Sequence, residues 1–137
     1  MCLKDETLLP ENNDVVYGWK VLSRSRGGLR SFWRDRGRVY TPLTREKAEL
    51  FYPAAGFYFY PTKKNAQAAR KLTAEWDRGM GYSRGIVVVA FCRFEGILAK
   101  GLDDTSFDWP HSPAMRAKYM EIIEVVRSHK KKEGKDA

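Results

Sequence analysis

The pattern of apolar and polar positions predicts three strands within the first 60 residues. Residues 15–23 alternate with a period of two, which is the repeat of a half-buried strand. The glycine pair at 27–28 then predicts a tight hairpin turn into a second strand over 29–33. Residues 56–60 are a glycine followed by four aromatic residues, and such a run favours a strand over a helix.

Within that aromatic run, alternation places Phe57 and Phe59 on one face and Tyr58 and Tyr60 on the other. We expect the two phenylalanines to lie in the core and the two tyrosines to be partly exposed. Partly exposed tyrosines also allow an alternative in which Tyr58 or Tyr60 stacks against a nucleic acid base.

Two helices are predicted between residues 44 and 77. The shorter one, over 45–52, begins after Thr44 and ends before Pro53. The clearer one covers 63–77 and follows Thr62, which can cap its first turn. Its apolar residues recur every three or four positions and form one stripe. They are Ala66, Ala69, Leu72 and Trp76.

The C-terminal half contains the most apolar segment. Residues 86–94 are apolar at nearly every position, which indicates a strand buried on both faces, and a turn or bulge at 95–96 leads into a short run over 97–100. Residues 114–126 fit two patterns. The helical pattern, with apolar residues three or four apart after a Ser-Pro start, fits slightly better than an imperfectly alternating strand, and the choice stays open.

These elements predict an α+β fold. We expect a compact single domain over residues 15–126, in which one main helix packs on a mostly antiparallel sheet. Residues 1–14 are polar and contain a proline, so they are predicted to be a flexible N-terminal segment. Residues 127–137 are highly charged and are predicted to be a flexible basic tail.

The charge of the 137-residue chain is concentrated in two places. The formal net charge is +8, from 25 Lys and Arg against 17 Asp and Glu. Residues 24–38 contain six arginines and one aspartate, and residues 127–137 contain five basic and two acidic residues. The rest of the chain is balanced. No apolar run is long enough to span a bilayer and the N-terminus lacks a signal-peptide pattern, so we expect a protein of the bacterial host cytoplasm with no membrane partner.

The arginine-rich segment is the best candidate for a binding site. A guanidinium is a planar fork that suits phosphate groups and stacking, and an aromatic residue beside it adds a stacking surface. The lysines of the tail would add a non-specific electrostatic arm. The candidate residues for nucleic acid or anion binding are Arg24, Arg26, Arg30, Trp33, Arg34, Arg36, Arg38, Lys130, Lys131 and Lys132.

Catalytic motifs are scarce. The chain has no phosphate-binding loop, no dinucleotide-binding glycine pattern and no zinc-protease motif, and its two cysteines and two histidines are too few for a zinc site. We therefore expect no cofactor, no metal and no catalytic residue. Two enzyme arrangements remain as alternatives. A nuclease-like cluster would use Asp103, Asp104, Asp108, Glu95 and Lys100, and an ADP-ribosyltransferase-like site would use Arg30, Tyr58, and Glu121 or Glu124.

Four short pieces of the sequence resemble a group of small, mostly uncharacterised domains from bacterial and phage genomes. The pieces are Gly56–Phe59, the pair Ala66 and Ala69, the stretch from Val87 to Ile97, and Arg116–Tyr119. The resemblance covers residues 56–125. It implies that the glycine–aromatic segment and the Arg-Ala segment are strands of one sheet, but it implies no shared activity.

From these features we expect a small, basic, non-enzymatic binding protein of a bacterial or phage genome. It would engage nucleic acid or a nucleoprotein through the arginine hairpin, as an inhibitor of a host defence complex in the manner of an anti-CRISPR protein. One alternative is an adaptor or inhibitor that binds an acidic protein surface. The other is a small enzyme that modifies nucleotides or nucleic acid.

Overall fold

The computed structural model describes residues 3–31, 38–50, 55–79, 85–103 and 112–126. These residues form eight strands and one helix. Along the chain they are β1 (Leu3–Leu8), β2 (Val15–Ser25), β3 (Gly28–Ser31), β4 (Val39–Tyr40), β5 (Arg45–Lys47), β6 (Phe57–Phe59), α1 (Lys63–Gly79), β7 (Ile86–Asp103) and β8 (Pro113–Val126).

The strands form one antiparallel sheet that curls into a nearly closed barrel. Its main path runs β4-β3-β2-β7-β8-β5, while β1 also pairs with β7 and β6 also pairs with β8. Beyond the end of β6, Tyr60 forms a backbone bridge with Trp19 of β2. The two N–H groups donate reciprocally over 2.9 and 2.8 Å. This bridge joins β2, at one side of the β7–β8 pair, to β6, at the other side.

A side-chain contact joins the two ends of the strand order. Glu46 of β5 accepts a hydrogen bond from Nη2 of Arg38, just before β4, at 3.2 Å and one from the backbone N–H of Thr41 at 3.0 Å. Its side chain is 14% exposed. The carboxylate therefore links β4 to β5 where no backbone ladder connects them within the described residues.

The main core fills the inside of the barrel. Successive inward positions of β7 supply Val88, Ala90, Cys92 and Phe94, and the Phe59 ring stacks on Phe94 with 3.7 Å between ring centroids. Gly18 of β2 permits this packing, since a Cβ there would lie 2.6 Å from Cδ2 of Phe59. The other buried core residues from neighbouring strands include Leu22, Leu29, Tyr40, Phe57, Ala117, Met120 and Ile122.

Helix α1 confirms the predicted helix over 63–77, and it packs against the outside of the barrel. Ala66 and Ala69 are buried with Val89 and Tyr60 in a second, smaller cluster. Trp76, which the helical stripe predicted to be apolar contact surface, is 41% exposed. The helix is not of the length and apolarity needed to cross a membrane.

The predicted fold class, an α+β domain with a helix packed on a sheet, is therefore wrong. The protein is mostly β, and its principal core lies inside a barrel-like sheet instead of between a sheet and a helix. The reason lies in β7, which is one strand of 18 residues where the sequence predicted two segments. Its pairing with β8 shifts register twice, and such bulges bend a strand and increase its twist.

Two segments predicted with a helical pattern are strands. Residues 113–126 form β8, as the resemblance implied, and this strand pairs with β7 along most of its length. Residues 45–47 form β5 where a helix over 45–52 was predicted. Residues 45–47 are held in an extended conformation by β8, because the flanking N–H groups of Leu43 and Ala48 donate to carbonyls of that strand.

The N-terminal residues 3–8, predicted to be flexible, form β1 on the far half of β7. A buried arginine holds them there. Arg116 donates from Nε and Nη2 to the two carboxylate oxygens of Glu6, at 3.1 and 3.0 Å, and from Nη1 to the carbonyl of Ala55 at 2.6 Å. The predicted strands over 15–23, 29–33, 56–60 and 86–94 are present as β2, β3, β6 and the first half of β7, although β3 is described only to residue 31.

Candidate anion-binding site

The β2–β3 hairpin brings three of the predicted arginines together. Arg24 pairs in register with Leu29, and Arg30 pairs with Ser23. Arg26 occupies the turn itself, with Gly27. Because successive residues of a strand point to opposite faces, Arg24 and Arg30 leave the hairpin on opposite sides. The turn is thus flanked by a guanidinium on each face and carries a third.

Gly27 determines where the guanidinium of Arg30 lies. A Cβ at residue 27 would come within 2.8 Å of Nη2 of Arg30. The Arg30 side chain therefore extends back along the hairpin, and its charged end lies beside the turn. A glycine at this position leaves the room that the guanidinium occupies.

Among the described residues, the arginines on the strands outside this hairpin have carboxylate partners, whereas Arg70 of α1 donates to the side-chain amide oxygen of Gln67 at 3.3 Å. Arg45 and Arg93 both pair with Glu95 at 3.2 Å, and Arg116 pairs with Glu6 at 3.0 Å. Arg24 and Arg26 are exposed and have no ion pair within the part of the chain that the structure describes. Their charge is therefore available to an external anion.

Arg38 was predicted to bind the same anion, and the structure places it elsewhere. Its guanidinium pairs with Glu46 at 3.2 Å and lies 5.6 and 5.7 Å from the ring centroids of Tyr40 and Phe57. This arginine links strands of the barrel. The other predicted binding residues lie outside the described residues. They are Trp33, Arg34, Arg36, Lys130, Lys131 and Lys132.

Sequence reasoning missed a lysine inside the barrel. Lys20 lies between Gly18 and Leu22 on the inward face of β2 and is 8% exposed. Its Nζ donates to the carbonyl oxygen of Tyr58 at 2.7 Å. Burial lowers the pKa of Lys20 to about 8, and burial also raises the pKa of the neighbouring Cys92 thiol to about 12. Alternation puts residue 20 on the same face as Leu22, but it does not say which of the two faces points into the barrel.

The tyrosines of the aromatic strand are not available for base stacking. Tyr58 and Tyr60 are 5% and 3% exposed, although partial exposure was predicted. Phe57 and Phe59 do lie in the core, as predicted. A buried ring has no free face, so the proposed stacking of a base on Tyr58 or Tyr60 is not possible in this fold.

The residues of the ADP-ribosyltransferase-like alternative are not brought together. Arg30 lies level with Val87 of β7, whereas Glu121 lies level with Arg93. Six residues of strand correspond to roughly 20 Å. Glu124 pairs with Phe91, which is four residues along β7 from Val87, the residue level with Arg30.

The nuclease-like alternative fares no better where the structure describes it. Asp103 is buried and accepts a hydrogen bond from the hydroxyl of Tyr60. Glu95 is eight residues away on the same strand, roughly 26 Å along it, and pairs with two arginines. Asp104 and Asp108 lie outside the described residues.

Among the residues that the structure describes, no group of three or more His, Cys, Asp or Glu side chains is placed to hold a metal ion. Compared with known proteins, the chain matches no protein-family model, no curated protein and no solved structure.

Proposed function

We propose that this protein binds nucleic acid through the phosphate backbone, using the turn of the β2–β3 hairpin. The observation that carries the proposal is the contrast between arginines. Those on the body of the barrel pair with glutamates, whereas Arg24 and Arg26 at the turn are exposed and unpaired within the described residues. The proposal places the protein in the bacterial cytoplasm, where such a partner is found.

Phosphate is the anion that fits this site best. Adjacent guanidinium groups repel one another, so they are most stable when an anion lies among them. Each guanidinium can donate two parallel hydrogen bonds to a phosphate group, which a lysine cannot do. A nucleic acid strand supplies a continuous row of such groups, one for each nucleotide, and so can contact the arginines of the turn together.

The salt dependence of binding tests this proposal. Each phosphate that the protein neutralises releases counterions, so the logarithm of the association constant falls with the logarithm of the salt concentration by about 0.9 per phosphate on a duplex. Three arginines at the turn give an expected slope of about −3. Fluorescence anisotropy with a labelled 20-base-pair duplex, titrated at several KCl concentrations, measures it.

Two results would overturn the proposal. One is the absence of duplex binding at low salt. The other is equally tight binding of poly-glutamate at the same salt concentration, which would favour an acidic protein surface as the partner.

Replacing Gly27 with alanine tests the position of the Arg30 guanidinium. The new Cβ would meet Nη2 of Arg30 at 2.8 Å, and the far end of a flexible side chain will move away before the backbone does. We expect the melting temperature to stay unchanged and the affinity for the duplex to fall about two- to fivefold, as for one weakened phosphate interaction.

The matched control is Gly79→Ala, because a Cβ at the end of α1 has no neighbour within 4 Å. This variant should bind as the wild-type protein does. An unchanged affinity of Gly27→Ala would show that the Arg30 guanidinium beside the turn takes no part in binding.

A further inference from the structure

The hairpin that carries the arginines is not a free two-stranded ribbon. At the level of Arg24, β2 has β7 on one side, at Ile86, and β3 on the other, at Leu29. Leu29 in turn pairs with Tyr40 of β4. Four strands therefore lie side by side here, and three gaps of about 4.8 Å give roughly 14 Å between the outer backbones, before any side chain is added.

This width decides what the hairpin can enter. The major groove of B-form DNA is about 12 Å wide and admits a helix or a two-stranded ribbon, and the minor groove is about 6 Å wide. With its face against the bases, a four-stranded sheet is wider than either groove of undistorted B-form DNA. Neither face of the hairpin can therefore lie along the base edges, as the ribbon of a sequence-reading protein does.

The turn extends only slightly beyond this sheet. The last pair between β2 and β7 is Arg24 with Ile86, and the last pair between β2 and β3 is Ser25 with Gly28. Among the described residues, the turn thus projects by one or two residues, or roughly 3–7 Å. The backbone of the turn therefore does not reach the floor of the major groove, which is about 8.5 Å deep.

The direction of the arginines agrees with a contact outside the grooves. Arg24 and Arg30 leave opposite faces of the hairpin, and the guanidinium of Arg30 lies beside the turn instead of extending beyond it. Guanidinium groups on the two sides of the turn could contact one phosphate strand from both sides. This arrangement does not direct the planar forks of two arginines at the edge of a base pair.

We propose that the hairpin turn contacts the phosphate backbone alone, so that the protein binds nucleic acid without regard to base sequence. This inference rests on the proposed function and makes it more specific. It assigns the partner as any duplex of sufficient length instead of an operator or a target motif. The shape of the four-stranded sheet, and not only the charge of the turn, enforces this lack of selectivity.

Binding to duplexes of different composition tests the inference with the full-length protein. Three labelled 20-base-pair duplexes, one A·T-only, one G·C-only and one mixed, are titrated by anisotropy at the same KCl concentration. The expected dissociation constants agree within about threefold, because phosphate contacts carry no sequence information. Dimethyl sulfate, which methylates guanine N7 in the major groove, should show no protection in the complex.

The outcomes separate this inference from the proposed function. If all three duplexes bind but one is preferred more than tenfold, or if guanine N7 is protected, the backbone-only contact is wrong and nucleic acid binding stands. If none of the duplexes binds at low salt, the proposed function itself is wrong.

Discussion

Replacing Lys20 with methionine is expected to raise the free energy of unfolding at pH 7 by about 2 kcal/mol. The lysine is 8% exposed, and its Nζ donates a hydrogen bond to the carbonyl of Tyr58. No carboxylate pairs with this ammonium group within the described residues. A methionine of similar length fills the same space without the cost of burying a charge, although it gives up that hydrogen bond.

The pH dependence of the stability difference shows whether the buried charge of Lys20 is its cause. Burial lowers the pKa of Lys20 from 10.5 to about 8. Between these two values the unfolded chain holds a proton that the folded protein does not, so the stability of the wild-type protein gains from rising pH. The free-energy cost of burying the charged lysine is complete below pH 8 and absent above pH 10.5. Over the whole window it corresponds to roughly 3 kcal/mol, at about 1.4 kcal/mol for each unit.

Urea unfolding of both proteins at pH 7, 8, 9 and 10 measures this effect. The stability advantage of Lys20→Met over the wild-type protein should shrink as the pH rises. Cys92 titrates in the opposite sense, because burial raises the pKa of its thiol to about 12, but this residue is present in both proteins and its contribution cancels in the comparison. A stability advantage that stays constant from pH 7 to pH 10 would show that the buried charge of Lys20 is not its cause.

Lys100→Met, at an exposed position of β7, is the matched control and should show no pH-dependent difference from the wild-type protein.

Lys20 also shows which part of the fold the sequence could predict. Alternation over 15–23 correctly indicated a strand, but alternation alone does not say which face is inside. The inner face holds Gly18, Lys20 and Leu22, while Tyr17 on the other face is 53% exposed. The choice is made by closure of the barrel, because Gly18 lies directly against Phe59 of a distant segment. Such a contact has no local signal.

The misassigned segments have a similar explanation. Residues 113–126 have spacing that fits a helix, but in the structure they pair with β7 along most of their length. Short apolar runs fit both the helical repeat of three to four residues and the strand repeat of two, and pairing with a partner strand decides between them. The same holds for 45–47, whose flanking N–H groups donate to β8. Helix α1 could be predicted because its signals, a cap and a stripe, are local.

The part of the candidate site that has a local sequence signal could also be predicted. The glycine pair at 27–28 predicted a turn, and the structure has β2 and β3 joined at that place. The separate role of Arg38 could not be foreseen, because its partner Glu46 reaches it through the folding of β4 and β5. Charge density along the sequence does not distinguish an arginine that stabilises the fold from one that is available to a ligand.

Reversing the charge of Arg24 and Arg26, which have no ion pair within the described residues, should remove the proposed nucleic acid binding. In Arg24→Glu/Arg26→Glu, the two guanidinium groups that we propose to bind phosphate are replaced by two repulsive carboxylates. We expect the dissociation constant for a 20-base-pair duplex to rise about 100-fold or more, from a loss of at least 1–1.5 kcal/mol for each charge-assisted hydrogen bond. The salt slope should also become shallower by about 2, or one for each phosphate that is no longer neutralised. Both residues are exposed, so the melting temperature should change little.

The control variant is Lys63→Glu/Lys64→Glu, which changes the net charge by the same amount in the exposed first turn of α1, where acidic residues are compatible with the helix dipole. Anisotropy titration of the two variants side by side, at one KCl concentration, tests the central claim most directly. The expected result is a loss of about 100-fold for the hairpin variant and less than about threefold for the helix variant. Equal losses in both variants would show that binding follows net charge and not the arginines of the β2–β3 turn.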